Sequence, residues 1–199
     1  MRSARGDATR EHIIETATQM FASSGYEAVS VAALLLECGI SRGALYHHFS
    51  GKQAVFEAVL EGAEAKVAET LLQAAQNGDN ALGALQAGCR EWLNLAARDP
   101  VIRQIVLIDA PAVVGWQAWR EIDERYALGL LQLGIAQLAG DTALAETGQV
   151  TMRAHALLAV LVEMALIIAR SPDDDATFDT ATDIVELLLD RITAMPASP

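Results

Sequence analysis

From end to end, the apolar residues of this 199-residue chain return at helical spacing, and no run alternates singly between apolar and polar. Ala and Leu dominate a composition that is 52% hydrophobic and only 5% aromatic. Such residues lose little freedom in a helix, whereas strands favour β-branched and aromatic side chains, scarce here. No Asn-Gly or Asp-Gly turn joins two apolar runs as in a hairpin. The chain is therefore expected to be all-α. Its length allows a small domain of about 50 residues joined to a larger one.

The spacing predicts about nine helices. In residues 9–24, Ile13, Ile14, Ala17, Met20 and Phe21 share a face, and Gly25 ends the helix with Tyr26 folding back. Ser30 caps a second helix with Val31, Leu34 and Leu35 inward. That helix stops at Cys38-Gly39; Ile40 anchors the turn, and Ser41 caps a short third helix, Arg42 to His48. Ser50 is expected to cap a long fourth helix that frays at Asn77-Gly78-Asp79. Further helices are expected near 80–97, 100–109, 115–138, 142–170 and 175–194. Asp99-Pro100 and Ser171-Pro172, the latter followed by three aspartates, are the start signals.

Net charge is −12, but it is uneven. Residues 1–53 balance Arg2, Arg5, Arg10, Arg42 and Lys52 against Asp7, Glu11, Glu15, Glu27 and Glu37. The stretch Ser41–Lys52 holds Arg42, Lys52 and two histidines with no acid, so it alone suits a polyanion. Cys38 and Cys89 stand in no metal or redox spacing and read as buried thiols of a reducing compartment. The N-terminus has no apolar signal core. The apolar run Ala154–Ala169, broken by His155 and Glu163, is read as too short to span a bilayer. A cytoplasmic protein without membrane association is expected.

Three helices with a glycine turn between the second and third suit a helix-turn-helix. Gly39 accepts left-handed backbone, Ile40 plugs the core, and Ser41 caps the reading helix. Arg42, Gly43 and Ala44 then stand at its N-terminus, where base edges in the major groove are reached. Arg42 can donate two hydrogen bonds to a guanine, Gly43 allows close approach, and the Ala44 methyl can touch a thymine methyl. Tyr46, His47 and Lys52 carry donors for phosphates, beside the free amides that open the fourth helix. Leu45, Phe49 and Ile40 are expected in the core, and His48 as a bystander.

The segment from Ser30 to Leu60 resembles the DNA-binding domain of the TetR family of regulators, on Gly39, Ile40, Ser41, Gly43, Ala44, Leu45, Tyr46, Phe49 and Lys52. The resemblance implies an N-terminal three-helix helix-turn-helix domain (1–53) and a C-terminal helical ligand-binding and dimerisation domain (54–199). It also implies Ser30, Ser41, Arg42, Gly43, Ala44, Tyr46, His47 and Lys52 as the DNA-binding set. Leu35, Leu36, Ala32 and Ala33 depart from the pattern, so no contact is carried to Ala32, Ala33 or Leu36. Asp109–Trp116 is similar to a segment in one branch of the family and names no ligand.

In the second domain, an apolar pocket is expected to take a small-molecule effector, with Trp92, Arg103, Asp109, Trp116, Trp119, Arg120, His155 and Glu163 as contacts. His155 and Glu163 interrupt an otherwise apolar helix and are expected to be buried or at an interface. The last two helices, with Ile184, Leu187, Leu188 and Ile192 as one stripe, are expected to form a homodimer by a four-helix contact. Two reading helices about 34 Å apart would then match a near-palindromic operator. The resemblance implies a repressor released by its effector. An enzyme and a helical interaction module remain as other readings; no phosphate loop, metal spacing or nucleophile motif favours the first. No cofactor and no metal are expected.

Overall fold

The computed structural model describes residues 2–138, 148–171 and 174–194. Among them every regular element is helical: α1 (Arg2–Ser24), α2 (Val31–Cys38), α3 (Arg42–His48), α4 (Lys52–Ala75), α5 (Ala81–Arg98), a π-helical segment (Ile102–Asp109), α6 (Ala110–Val113), α7 (Trp116–Leu138), α8 (Gly148–Arg170) and α9 (Asp175–Ala194). The all-α expectation holds. Helix α1 starts earlier than the periodicity suggested.

Two compact units emerge: residues 1–63 with 100–119, and residues 64–99 with 120–199. The expected division at 53/54 follows the motif, whereas these units follow packing.

In the first unit, α1 turns Ile13, Ala17 and Phe21 inward, all fully buried. They form a core with Leu34 of α2, Leu45 of α3, and Val55, Phe56 and Leu60 of α4. The rings of Phe21, Tyr26 and Phe56 meet one another at 5.1–5.7 Å, the range in which aromatic pairs attract beyond their area. Gly25 makes this possible: its φ of +77° reverses the chain and its N–H closes on the Phe21 carbonyl at 2.8 Å. Helix α4 opens at Lys52, where the Val55 N–H bonds the Gly51 carbonyl at 3.2 Å. The cap position is thus Gly51, not Ser50.

The predicted helix 100–109 continues to Val113 and changes winding on the way. The Ala110 N–H reaches back five residues, to the Ile105 carbonyl. Pro111 supplies the reason: it has no N–H, and its ring would meet the Leu107 carbonyl in an ordinary α turn. The wider π turn makes room. This segment packs on α1.

In the second unit, α5, α8 and α9 pack on one another. Leu93 and Ala96 of α5, Leu157 and Ala165 of α8, and Leu189 of α9 are fully buried. The Trp92 indole donates to the Leu161 carbonyl at 3.1 Å, so its one polar atom is satisfied inside. Truncating such a core leucine would cost about 2–5 kcal/mol.

Helix α8 corrects the sequence reading of its apolar run. It spans 23 residues and by length and composition could cross a membrane, with half of its most apolar window buried. The buried half is what packs on α5 and α9, and a core helix meets the same length and composition test. The predicted first turns of this helix, at 142–147, lie outside the described residues, as do Pro172 and Asp173. Helix α9 begins instead on Asp174, whose Oδ1 accepts the N–H groups of Ala176 and Thr177 at 3.1 and 3.3 Å. Those bonds and the Thr177 hydroxyl hold its carboxyl below the usual range.

Candidate nucleic-acid interface and effector cavity

The helix-turn-helix is built by its caps. Ser30 Oγ accepts the Ala33 N–H at 3.1 Å, and Ser41 Oγ accepts the Ala44 N–H at 3.2 Å. Both serines have extended backbone, as capping residues do. Between the helices Gly39 sits at φ +63°, and its N–H turns back on α2. No added Cβ would clash there, so it is the backbone angle that favours glycine.

Helix α3 has two faces. Leu45 is fully buried and Phe49 nearly so, which anchors it to the core. Arg42, Gly43, Tyr46 and His47 lie on the other side, at positions i, i+1, i+4 and i+5, and all are exposed. Ala44 and His48 are half-buried. Ile40, expected as a buried plug, is only half-buried; the core beneath the turn is closed by Leu34, Cys38 and Leu45. Leu36 on α2 is 83% exposed, so this apolar side chain stands where the family pattern has a polar one.

Lys52 is engaged within the protein. Its Nζ donates to the Tyr26 carbonyl at 2.8 Å and lies 3.8 Å from the Tyr26 ring centroid. The Tyr26 N–H donates in turn to Asp109 Oδ2 at 2.7 Å, and Gln104 Nε2 donates to Asp109 Oδ1 at 3.1 Å. Burial raises the Asp109 carboxyl above its ordinary value against these two hydrogen bonds. Sequence reasoning missed Tyr26 and Gln104 as members of this cluster. The available signal was a lone carboxylate at the end of an apolar helix.

A cavity of about 360 Å³ lies within the second unit, between residues of α4, α5, α7 and α8. Its wall is mostly leucine and alanine, with Trp92 and Cys89 from α5. Burial pushes the Cys89 thiol up to about 12, which keeps it neutral. Two carboxyls interrupt the apolar wall: Glu64, 2% exposed, and Asp123, 5% exposed. Arg120 Nη1 donates to Asp123 at 3.0 Å and Nη2 to Glu124 at 3.2 Å. Burial pushes the Asp123 carboxyl up to about 6; Arg120 opposes the rise and Glu124 adds to it. Neither Glu64 nor Asp123 was among the expected contacts, because in sequence each is one acid among many.

Of the eight expected ligand contacts, Trp92 lines this cavity. Arg120 stands behind it on Asp123, and His155 Nδ1 is 4.0 Å from Glu124. Glu163 is exposed on α8 rather than buried within the chain, since its neighbours Val162 and Ala165 take the inward positions. Asp109 holds Tyr26, as described, and Arg103 is half-buried on the π-helical segment. Trp116 is 58% exposed and lies 4.9 Å from buried Trp119, and both belong to the first unit.

Comparison with known proteins matches the chain to two family models, one after the other along the sequence. Residues 13–59 match the family "bacterial regulatory proteins, tetR family", and residues 82–192 match "tetracyclin repressor-like, C-terminal domain". Over 63 residues the chain is 41% identical to the HTH-type transcriptional repressor AcnR of Corynebacterium efficiens, a match covering 32% of this chain and 34% of the relative. The chain thus spans about a third of the length of the curated relatives it matches. A TetR-family transcriptional regulator from Pectobacterium atrosepticum superposes with a TM-score of 0.82 at 28% identity over 98% of each chain. RolR, solved in complex with resorcinol, shares the fold alone, with a TM-score of 0.67 at 15% identity over 99% of this chain and 98% of that one. On both of its halves, this chain belongs to the TetR family of bacterial regulatory proteins.

Proposed function

We propose that the chain is a homodimeric repressor that binds a near-palindromic DNA operator and releases it when a small molecule enters the cavity of the second unit. One observation carries the DNA reading: α3 keeps Leu45 and Phe49 inside and turns Arg42, Gly43, Tyr46 and His47 to solvent. Arg42 at the helix start would read a base edge, with Gly43 and Ala44 against the bases and Tyr46 and His47 toward phosphates. Ser30 and Ser41 act through their caps, which orient the amides of the helix starts. Lys52 supports the frame through Tyr26.

The dimer reading rests on α8 and α9. Met152 and Ile167 of α8 and Ile184 and Leu187 of α9 are exposed large apolar residues, while Ala181, Val185 and Leu189 face the chain's own core. A second copy would cover them in an isologous four-helix contact. The effector reading rests on the cavity. Helix α4 runs unbroken from Lys52, just past α3, to Ala75, and its residues Glu64, Val67 and Leu71 line the wall. A ligand that shifts this end of α4 would move the other, with a coupling of roughly 1–3 kcal/mol. A reducing cytoplasm suits such a regulator and its two free thiols.

Selection of bound fragments from a random DNA pool tests the reading. Enrichment of a near-palindrome is expected. Recovery of no common sequence, at a salt concentration where weak binding still registers, would overturn it.

A further inference from the structure

The cavity of the second unit has an unusual charge pattern for an apolar site. Among the described residues that line it there is no lysine, arginine or histidine, yet there are two buried carboxyls, Glu64 from α4 and Asp123 from α7. The rest of the wall is mostly leucine and alanine, with Val67, Cys89, Trp92, Tyr126, two glycines and two amides. Arg120 lies off the wall, shared between Asp123 and Glu124. A carboxylate ligand would meet like charge on the wall, in surroundings where water screens it poorly, with Arg120 already taken by Asp123 and Glu124. A neutral ligand would leave two acids beside an apolar body, which favours neither partner. A cation would gain from both.

We propose that the effector is an apolar organic cation: an amine or quaternary ammonium on a hydrophobic body, its charged end held by Glu64 and Asp123 and its body packed on the leucines and Trp92. The size agrees, since sites for small organic molecules run from roughly 300 Å³ upward. Burial of Asp123 adds a proton linkage. A cation favours the ionised carboxylate, so binding should expel a proton and weaken as pH falls through about 6. Among the described residues, the other charged or titratable groups on or beside the wall are Arg120, Glu64, Tyr126, Glu124 and His155; the Cys89 thiol stays neutral. This inference rests on the cavity being the effector site, as proposed above.

The test is calorimetric titration of the full chain with three probes of one body: n-decylamine, n-decanol and n-decanoate. Decylamine should bind about tenfold tighter than decanol at pH 7.5, and decanoate should not register. Glu64→Gln should lower decylamine affinity about tenfold and leave decanol unchanged. Lowering the pH to about 5 should weaken decylamine several-fold in the parent chain, with less change in Asp123→Asn. The parent measurement stands even if neither variant folds. If decanol or decanoate binds as well as decylamine, the cavity reading survives and the cation assignment is overturned. If none of the three binds, both fall.

Discussion

Tyr26 and Asp109 are 83 residues apart in sequence and are joined by a 2.7 Å hydrogen bond, from the Tyr26 backbone N–H to Asp109 Oδ2. The same tyrosine accepts the Lys52 ammonium on its carbonyl and under its ring. A single turn residue thus ties the end of α1, the start of α4 and the π-helical segment together. Asp109→Ala would leave the Tyr26 N–H without its acceptor and cost about 1–3 kcal/mol of stability. Asp109→Asn keeps an acceptor oxygen and should cost less. Thermal unfolding of the two variants checks the order; equal losses would mean that the charge, not the hydrogen bond, is what matters.

The two cations of the reading region should behave differently. Arg42 is exposed at the start of α3, and Arg42→Ala should flatten discrimination between operator and mutated sites by about 1–3 kcal/mol. Lys52→Ala should lower stability by about 1 kcal/mol, from the lost hydrogen bond and ring contact. It should leave the salt dependence of DNA binding unchanged. A salt slope reduced by about one unit would place Lys52 on a phosphate instead.

Asp123 sets a pH dependence of stability. Its folded carboxyl is raised from 3.8 to about 6 by burial, so the folded state holds the proton more tightly. The stability it contributes is fully present below about pH 4 and declines as pH rises through 6. Asp123→Asn should therefore gain on the parent between pH 4 and 7, by up to roughly 3 kcal/mol. Urea titrations at several pH values read this difference directly, and parallel curves for parent and variant would count against it.

Leu187 is 61% exposed on α9. Since the chain's own core does not use it, Leu187→Glu should leave the helical content intact and shift sedimentation from the proposed dimer to monomer. Loss of helical signal without dissociation would point to a role inside the fold.

Much of the helix-turn-helix was legible from sequence because its signals are local. Ser30, Gly39 and Ser41 each act on backbone within a few residues, and their caps and left-handed turn form where the sequence places them. The inward positions of Phe21, Leu34 and Leu45 follow from helical spacing alone. The π winding over Ile102–Asp109 was less visible, although Pro111 announced a disturbance four residues on from Leu107.

The cavity and its charges were not legible. Glu64 and Asp123 resemble any other acid of their helices, and only the packing of α4, α5, α7 and α8 takes water from them and sets them on one wall. Likewise Asp109, Trp116 and Glu163 looked alike as pocket contacts, yet folding gives the first a backbone partner and leaves the other two exposed. Short-range order is determined by the chain's own neighbours, so sequence alone settled most of the helices, the Ser30 and Ser41 caps and which side of α3 faces outward. Burial, ion pairing and cavity shape depend on residues far apart in the chain, and those the tertiary structure decided.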